Sequence, residues 1–455
     1  MCKNQLNRLL TLLISLAFLG LGSCRMKEKV LANPSLNYRD YQAADSDRVI
    51  DRNVYHNKLK GFWLGTCLAN WTGLITEMDK IGNIGEIRTG EFYTRHDWGG
   101  PDQPSIWGQG IPSGLSPEID FVWAAPDSVW GADDDTDIEY MYQELMLTNN
   151  CTLLTGLQIR DGWLKHIKAE EENFLWVSNQ RAYDLMKQGF VPPATGDPAN
   201  NAEYEMIDAQ LTTEIFGLFA PARPDVALQL ASLPVKTTAR FDSEYIANFY
   251  ISLFSLASAV DQSLSPAEQI AWMADQAKNI LPLGSTPRKM YDFVKSCYDN
   301  GLTWEQTRDS IYLRYQVQQQ DGYTMTARNL YCNGCFAAGI NFAASLVSLF
   351  YGEGDFVETI KIAVLAGWDS DNPAATWGGL LGFMIGKDAV EQVFNQKFSQ
   401  EFHIHRTRIN FGNDGTDTFE NMAAKGIWVT DRIVQEFMNG GVSLKENCWY
   451  IPSKP

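Results

Sequence analysis

The sequence predicts an all-α body with a small α+β extension at its C-terminal end. Three observations lead there. Apolar side chains recur at helical spacing through segment after segment, and convincing strands are few. Small residues also repeat four apart, at Gly61, Gly65 and Ala69 and again at Ala374, Gly378 and Gly382. Such a repeat puts a smooth stripe on one helix face, where a second helix can approach closely.

The chain begins with Lys3 and Arg8 ahead of an apolar run, Leu9 to Leu21, that is too short to span a bilayer. The run ends in Leu21-Gly22-Ser23-Cys24, which resembles a bacterial lipoprotein signal. That resemblance implies removal of residues 1–23, a lipid on Cys24, and an exported protein anchored to a membrane at the periplasm or cell surface. Residues 24–50, polar and rich in Lys, Asn, Asp and Ser, are then expected to form a tether. The formal net charge is −18, and loss of Lys3 and Arg8 makes it more negative. Nucleic acid is not an expected partner, because phosphate binding depends on clustered Lys and Arg. A chain of 455 residues, 45% hydrophobic, can bury a large core. One domain is expected over residues 51–395, the extension over 396–455, and a monomer.

From Asn57 onward Leu64, Leu68 and Trp71 flank the small-residue stripe and predict a long helix. Residues 88–131, dense in Gly and Pro and carrying Tyr93, Trp98, Trp107, Trp123 and Trp130, predict a long ordered loop. Ile138, Met141, Tyr142 and Leu145 then mark an amphipathic helix. Further helices are expected over 203–219, 244–260, 264–279, 287–299, 303–316, 334–351 and 355–366. Asn372 and Pro373 read as the cap and first residue of another. Near the end, Phe402 to Phe411 alternates like a strand, Gly412 to Gly415 reads as a turn, and 417–438 as a helix.

Two acidic clusters carry the chemistry: Asp133-Asp134-Asp135-Thr136-Asp137 and Asp369-Ser370-Asp371-Asn372, each just ahead of a helix. Gathering carboxylates costs Coulomb energy unless a cation joins them. The candidate ligands are Asp133, Asp134, Asp135, Asp369, Asp371 and Asn372, with Thr136 and Ser370 as further oxygens. An all-oxygen set without thiolate or imidazole suits Mg²⁺, Mn²⁺ or Ca²⁺ rather than zinc, and five or six ligands are enough for two ions.

Three separated segments resemble the ADP-ribosylglycohydrolase family. Gly61, Gly65, Ala69, Asn70, Gly73 and Glu77 fall in the register of that family's opening helix. Asp133 to Thr136 match its first metal motif, and Gly367, Asp369, Ser370, Asp371 and Asn372 its last. The resemblance implies an orthogonal helix bundle with a paired Mg²⁺ or Mn²⁺ site that hydrolyses an N- or O-glycosidic bond. It also implies catalytic roles for Glu77, as a proton-handling carboxylate, and for Asp135. Substrate contacts are expected from Asn70, His96, Trp98, Trp130 and Trp368, with Trp107 a further stacking wall. In place of the family's Gly-rich segment ending in Met-Arg, this chain has Glu205 to Thr212 and Arg240-Phe241-Asp242. Three readings therefore stay open: an ADP-ribosyl or related small-molecule substrate, an environmental glycan, and a metal-stabilised sugar-binding protein without catalysis.

Besides Cys2 and Cys24 there are Cys67, Cys151, Cys297, Cys332, Cys335 and Cys448, and an oxidising compartment would allow one or two bridges. Cys332-Asn333-Gly334-Cys335 has redox-motif spacing, but it precedes an Ala-rich apolar run rather than sitting in a βαβ unit. His403 and His405 share one face of the expected strand without a partnering cluster.

Overall fold

Asp51 opens the first long helix, Arg52–Gly73, by accepting from the backbone N–H groups of Asn53 and Val54. These are two of the donors that a helix start leaves unpaired. The helix is buried along most of its length against the helix Asp371–Ile385. Their backbones touch: a Cβ on Gly61 would lie 2.1 Å from the carbonyl oxygen of Gly382, and one on Gly65 2.1 Å from that of Gly378. The two small-residue stripes of the sequence therefore face each other.

The computed structural model describes residues 31–108, 110–169 and 173–452. The expected signal and Cys24 lie outside them. Helices dominate, and those expected from the middle of the chain appear as Asp242–Leu256, Pro266–Ala277, Thr286–Asp299, Trp304–Ile311, Ala338–Tyr351 and Phe356–Ala366. Serine and threonine caps fix several starts. Ser265 with Glu268 and Thr303 with Gln306 form reciprocal capping boxes. No helix among the described residues is long and apolar enough to cross a membrane.

Several expectations need correction. The helix expected over 203–219 is two short ones, Asp208–Thr212 and Ile215–Phe219. The Ile215 N–H donates to Glu139 Oε1 at 2.8 Å, so a neighbouring side chain replaces the helical acceptor. Gly156–His166, Val177–Lys187, Pro224–Val235 and Lys387–Val393 are helices that the pattern did not announce. Two of them had local signals, a Thr155–Gln158 capping box and Pro224 in the first turn. The second acidic helix starts at Asp371 rather than Pro373. Pro373 still falls in the first turn, where its missing N–H costs nothing.

The strand expected over Phe402 to Phe411 is strand only over Glu401–His403, between Trp130–Gly131 and Thr416–Thr418. Beyond His403 the chain turns inward, and Arg408, 4% exposed, forms a 2.8 Å ion pair with buried Asp137. A buried guanidinium needs such a partner, and that requirement overrides the alternating pattern. The turn Gly412–Gly415 places Asn413 and Asp414 in the left-handed region, which these side chains tolerate.

Arg48–Asp51 pairs antiparallel with Cys448–Ile451, which pairs with Gly441–Ser443. The last long helix, Phe419–Glu436, packs on the first. Arg52 clamps Asp431 through Nε to Oδ1 at 3.0 Å and Nη2 to Oδ2 at 2.8 Å, and Trp449 Nε1 and Tyr38 Oη donate to the same carboxylate. Residues 33–50 of the expected tether are therefore held down. Asn33 Nδ2 donates to Trp428 O, and Gln435 Nε2 to Asn37 O. Their polar composition satisfies the last helix's polar edge.

Candidate metal centre and cleft

Both acidic clusters open onto one cavity of about 480 Å³. At the first, the Asp133 N–H donates to Thr136 Oγ1 at 3.0 Å, which locks the turn into the helix Asp134–Thr148. Asn70 Nδ2, from the first long helix, reaches Asp133 Oδ2 at 3.3 Å. At the second, Gly367 and Trp368 both take positive φ. The Trp368 N–H donates to Lys80 O and its carbonyl accepts from Met78 N–H, each at 2.8 Å. Ser370 Oγ holds the end of the first helix through Gly73 O at 3.0 Å, and the Asp369 N–H donates to Asn341 Oδ1. Two loops far apart in sequence are thus pinned to the same helix end.

One carboxylate oxygen from each of Glu77, Asp369 and Asp371 lies within 4.8 Å of the others, and the same holds for Asp133, Asp134 and Asp135. Burial, reinforced by neighbouring carboxylates, pushes Glu77, Asp134, Asp135 and Asp369 well above the usual carboxylate range. Asp371 is pushed to about 7, first by burial and then by Asp133. Its Oδ1 is buried without a hydrogen-bond partner. Asp208 in the same wall, capped by Ser178 Oγ and the Asn179 N–H, rises only to about 6, because those donors offset its burial. Oxygens crowded this way and short of donors fit hard divalent cations, which replace repulsion with coordination.

The ADP-ribosylglycohydrolase family model matches residues 51–428, most of the chain. The chain belongs to the ADP-ribosylglycohydrolase family. A solved structure titled "ADP-ribosylglycohydrolase-related protein complex" is similar at 15% identity and a TM-score of 0.47, covering 83% of this chain and 98% of that one. No curated protein matches the sequence.

In this ADP-ribosylglycohydrolase-family chain Glu77, Asp133, Asp134, Asp135, Asp369 and Asp371 all border the cavity. Asn372, an expected ligand, has both ends of its amide engaged by the protein. Its Nδ2 donates to Asp135 Oδ1 at 2.9 Å and its Oδ1 accepts from Gln210 Nε2 at 3.1 Å, so it aims a carboxylate. The hydroxyls of Thr136 and Ser370 are likewise spent on backbone carbonyls. Asn70 is fully buried, its Nδ2 turned to Asp133 and its Oδ1 without a hydrogen-bond partner.

The expected aromatic contacts shift as well. Trp368 is fully buried, donating to Gln316 Oε1, and Trp130 is buried, donating to Ser399 O. Trp98 packs edge-on against Phe121 under Lys361, and His96 is exposed in a short turn; neither borders the cavity. The rings that line it are Trp107, Phe174, Trp176, Tyr331 and Phe336. Of these the sequence pointed only to Trp107. Tyr331 and Phe336 flank Cys332 and Cys335, which are disulfide-bonded.

Proposed function

We propose that this protein hydrolyses an N- or O-glycosidic bond with two divalent cations, Mg²⁺ or Mn²⁺. The observation that carries the reading is the pair of carboxylate triads on one cavity, with Asp371 Oδ1 left without a donor. Asp133, Asp134 and Asp135 would hold one ion, and Asp369 and Asp371 with Glu77 the other. When bound, such ions hold sugar hydroxyls and lower the pKa of a water. Glu77 borders the cavity, and its carboxylate is suited to take the proton from that water. The water's oxygen bonds to the anomeric carbon as the bond to the leaving oxygen or nitrogen breaks, and the leaving atom takes up the proton. Asn372, Gln210 and Asn70 keep the ligands aimed while the aromatic wall limits water.

The test is sugar release by the mature protein from ADP-ribosylated peptides and from oligosaccharides, in Mn²⁺, after EDTA, and after Mn²⁺ is restored. Release that depends on the metal supports the reading. Retention of full activity by Asp134→Ala or Asp369→Ala would sink it. The N-terminal pattern supports export and lipid anchoring at Cys24, which loss of membrane association in Cys24→Ala would check.

A further inference from the structure

Among the described residues, the cavity wall carries seven carboxylates, from Glu77, Asp133, Asp134, Asp135, Asp208, Asp369 and Asp371, and no Lys, Arg or His. Two divalent ions would supply four positive charges, fewer than the carboxylates present. Arg406 stacks with its guanidinium 4.6 Å from the Phe174 ring centre and is bonded to His405. It is not part of the lining. A phosphate entering here would be desolvated beside like charge with no guanidinium or ammonium to receive it.

The rest of the wall is aromatic. Trp107 and Phe336 have ring planes 18° apart with centroids at 5.9 Å, and Tyr331 and Phe336 have planes 10° apart at 6.3 Å. Trp107 Nε1 donates to Tyr331 Oη at 2.7 Å, tying the long loop to the disulfide turn. Trp107 and Tyr331 remain 42% and 64% exposed, so this near-parallel shelf is open to a ligand. Tyr331 also borders a second cavity of about 600 Å³, whose wall includes Asp79, Lys80, Arg88, Thr89, Gln103 and Ser105. Both cations of this wall are already engaged, Lys80 by Thr89 O and Gln103 Oε1 and Arg88 Nη1 by Gly85 O and Ile87 O. The two cavities therefore share Tyr331 as a wall residue.

We propose that the substrate is an uncharged carbohydrate chain, whose sugar beyond the scissile bond lies on the shelf of Trp107, Phe336 and Tyr331 and whose next unit enters the second cavity. This rests on the glycosidic-hydrolase reading above and names its substrate class. Sugar rings present flat C–H faces to aromatic rings and hydroxyls to polar side chains, and they bring no charge into an acidic cleft.

The native protein loaded with Mn²⁺ is applied to a glycan array of neutral, uronic, sulfated and sialylated chains, with ADP-ribose titrated in parallel. Binding confined to neutral chains, weakened at least tenfold in Trp107→Ala with Mn²⁺ affinity unchanged, is the expected result. Tighter binding of ADP-ribose or of an anionic glycan, or no binding to any neutral chain, overturns the proposal. Mn²⁺ titration of the same preparation separates the two claims. Failure to bind metal defeats the hydrolase reading, whereas metal binding with a preference for anionic ligands defeats only this one.

Discussion

Gly73 lies directly against Asp371: a Cβ built on Gly73 would sit 2.3 Å from the Asp371 Cα and 2.8 Å from its backbone nitrogen. The last residue of the first long helix thus sets the position of a carboxylate nearly three hundred residues later. Gly73→Ala must displace that loop, an overpacking typically costing ~1–3 kcal/mol. The expected outcome is a lower Tm together with Mn²⁺ affinity at least tenfold weaker, measured by thermal melts and calorimetry.

Cation binding to the folded state alone raises stability by mass action, about 2.7 kcal/mol at a hundredfold excess over Kd. Mg²⁺ or Mn²⁺ should raise Tm and EDTA should reverse the rise. In EDTA the order inverts: Asp134→Asn should melt above the native protein, because its carboxylate is held well above its usual range by burial and by Asp133. A native protein indifferent to metal in these melts would contradict the assignment.

Asn372→Ala separates an aiming role from a ligand role. Removing a partner that orients a ligand costs roughly 10–100-fold in metal affinity. Asn372 touches Asp135 and Gln210, so its loss should fall in that range, whereas Asp371→Asn should abolish binding at one of the two ions. Calorimetric stoichiometry distinguishes the outcomes.

Glu139 and Glu214 form a buried carboxyl pair away from the cavity wall. Glu214 is pushed to about 7, chiefly by burial, and Glu139 well above its usual range by burial and Glu214. Folded-state values above unfolded ones mean that the native state binds the extra proton. The stability this confers is full below about pH 4.5 and is lost as pH rises through about 7. Glu139→Gln keeps the acceptor for the Ile215 N–H and offers Glu214 a permanent donor. Its Tm should therefore decline less than the native Tm between these pH values, both measured in EDTA.

Asp431 receives Arg52, Tyr38 and Trp449 at once. Asp431→Ala strands a buried guanidinium, which typically costs ~3–5 kcal/mol. The expected result is a large fall in denaturant midpoint with Mn²⁺ affinity retained in whatever fraction stays folded.

Much of this was legible before any coordinates. The stripes at Gly61, Gly65 and Ala69 and at Ala374, Gly378 and Gly382 announced two helices each open to a close neighbour, and the fold packs them on each other. The acidic clusters announced a gathering of carboxylates, and both of them border one cavity. Helices with weak periodicity, such as Val177–Lys187, were not legible, since tertiary packing rather than local pattern holds them.

By itself the sequence determined the helical class, the family and the carboxylates of the cavity wall except Asp208, all of which are written in local spacing. Only the tertiary structure decided which oxygens face the cavity and which rings wall it. Asn372 carries the same chemistry as a ligand, yet Gln210 and Asp135 take up both ends of its amide, while Asn70 turns its Nδ2 to Asp133. Trp130 and Trp368 adjoin the clusters in sequence but turn into the core, while Tyr331 and Phe336 come from a distant disulfide turn. Side-chain direction depends on what packs behind each element, and that is fixed by long-range contacts that spacing along the chain does not encode.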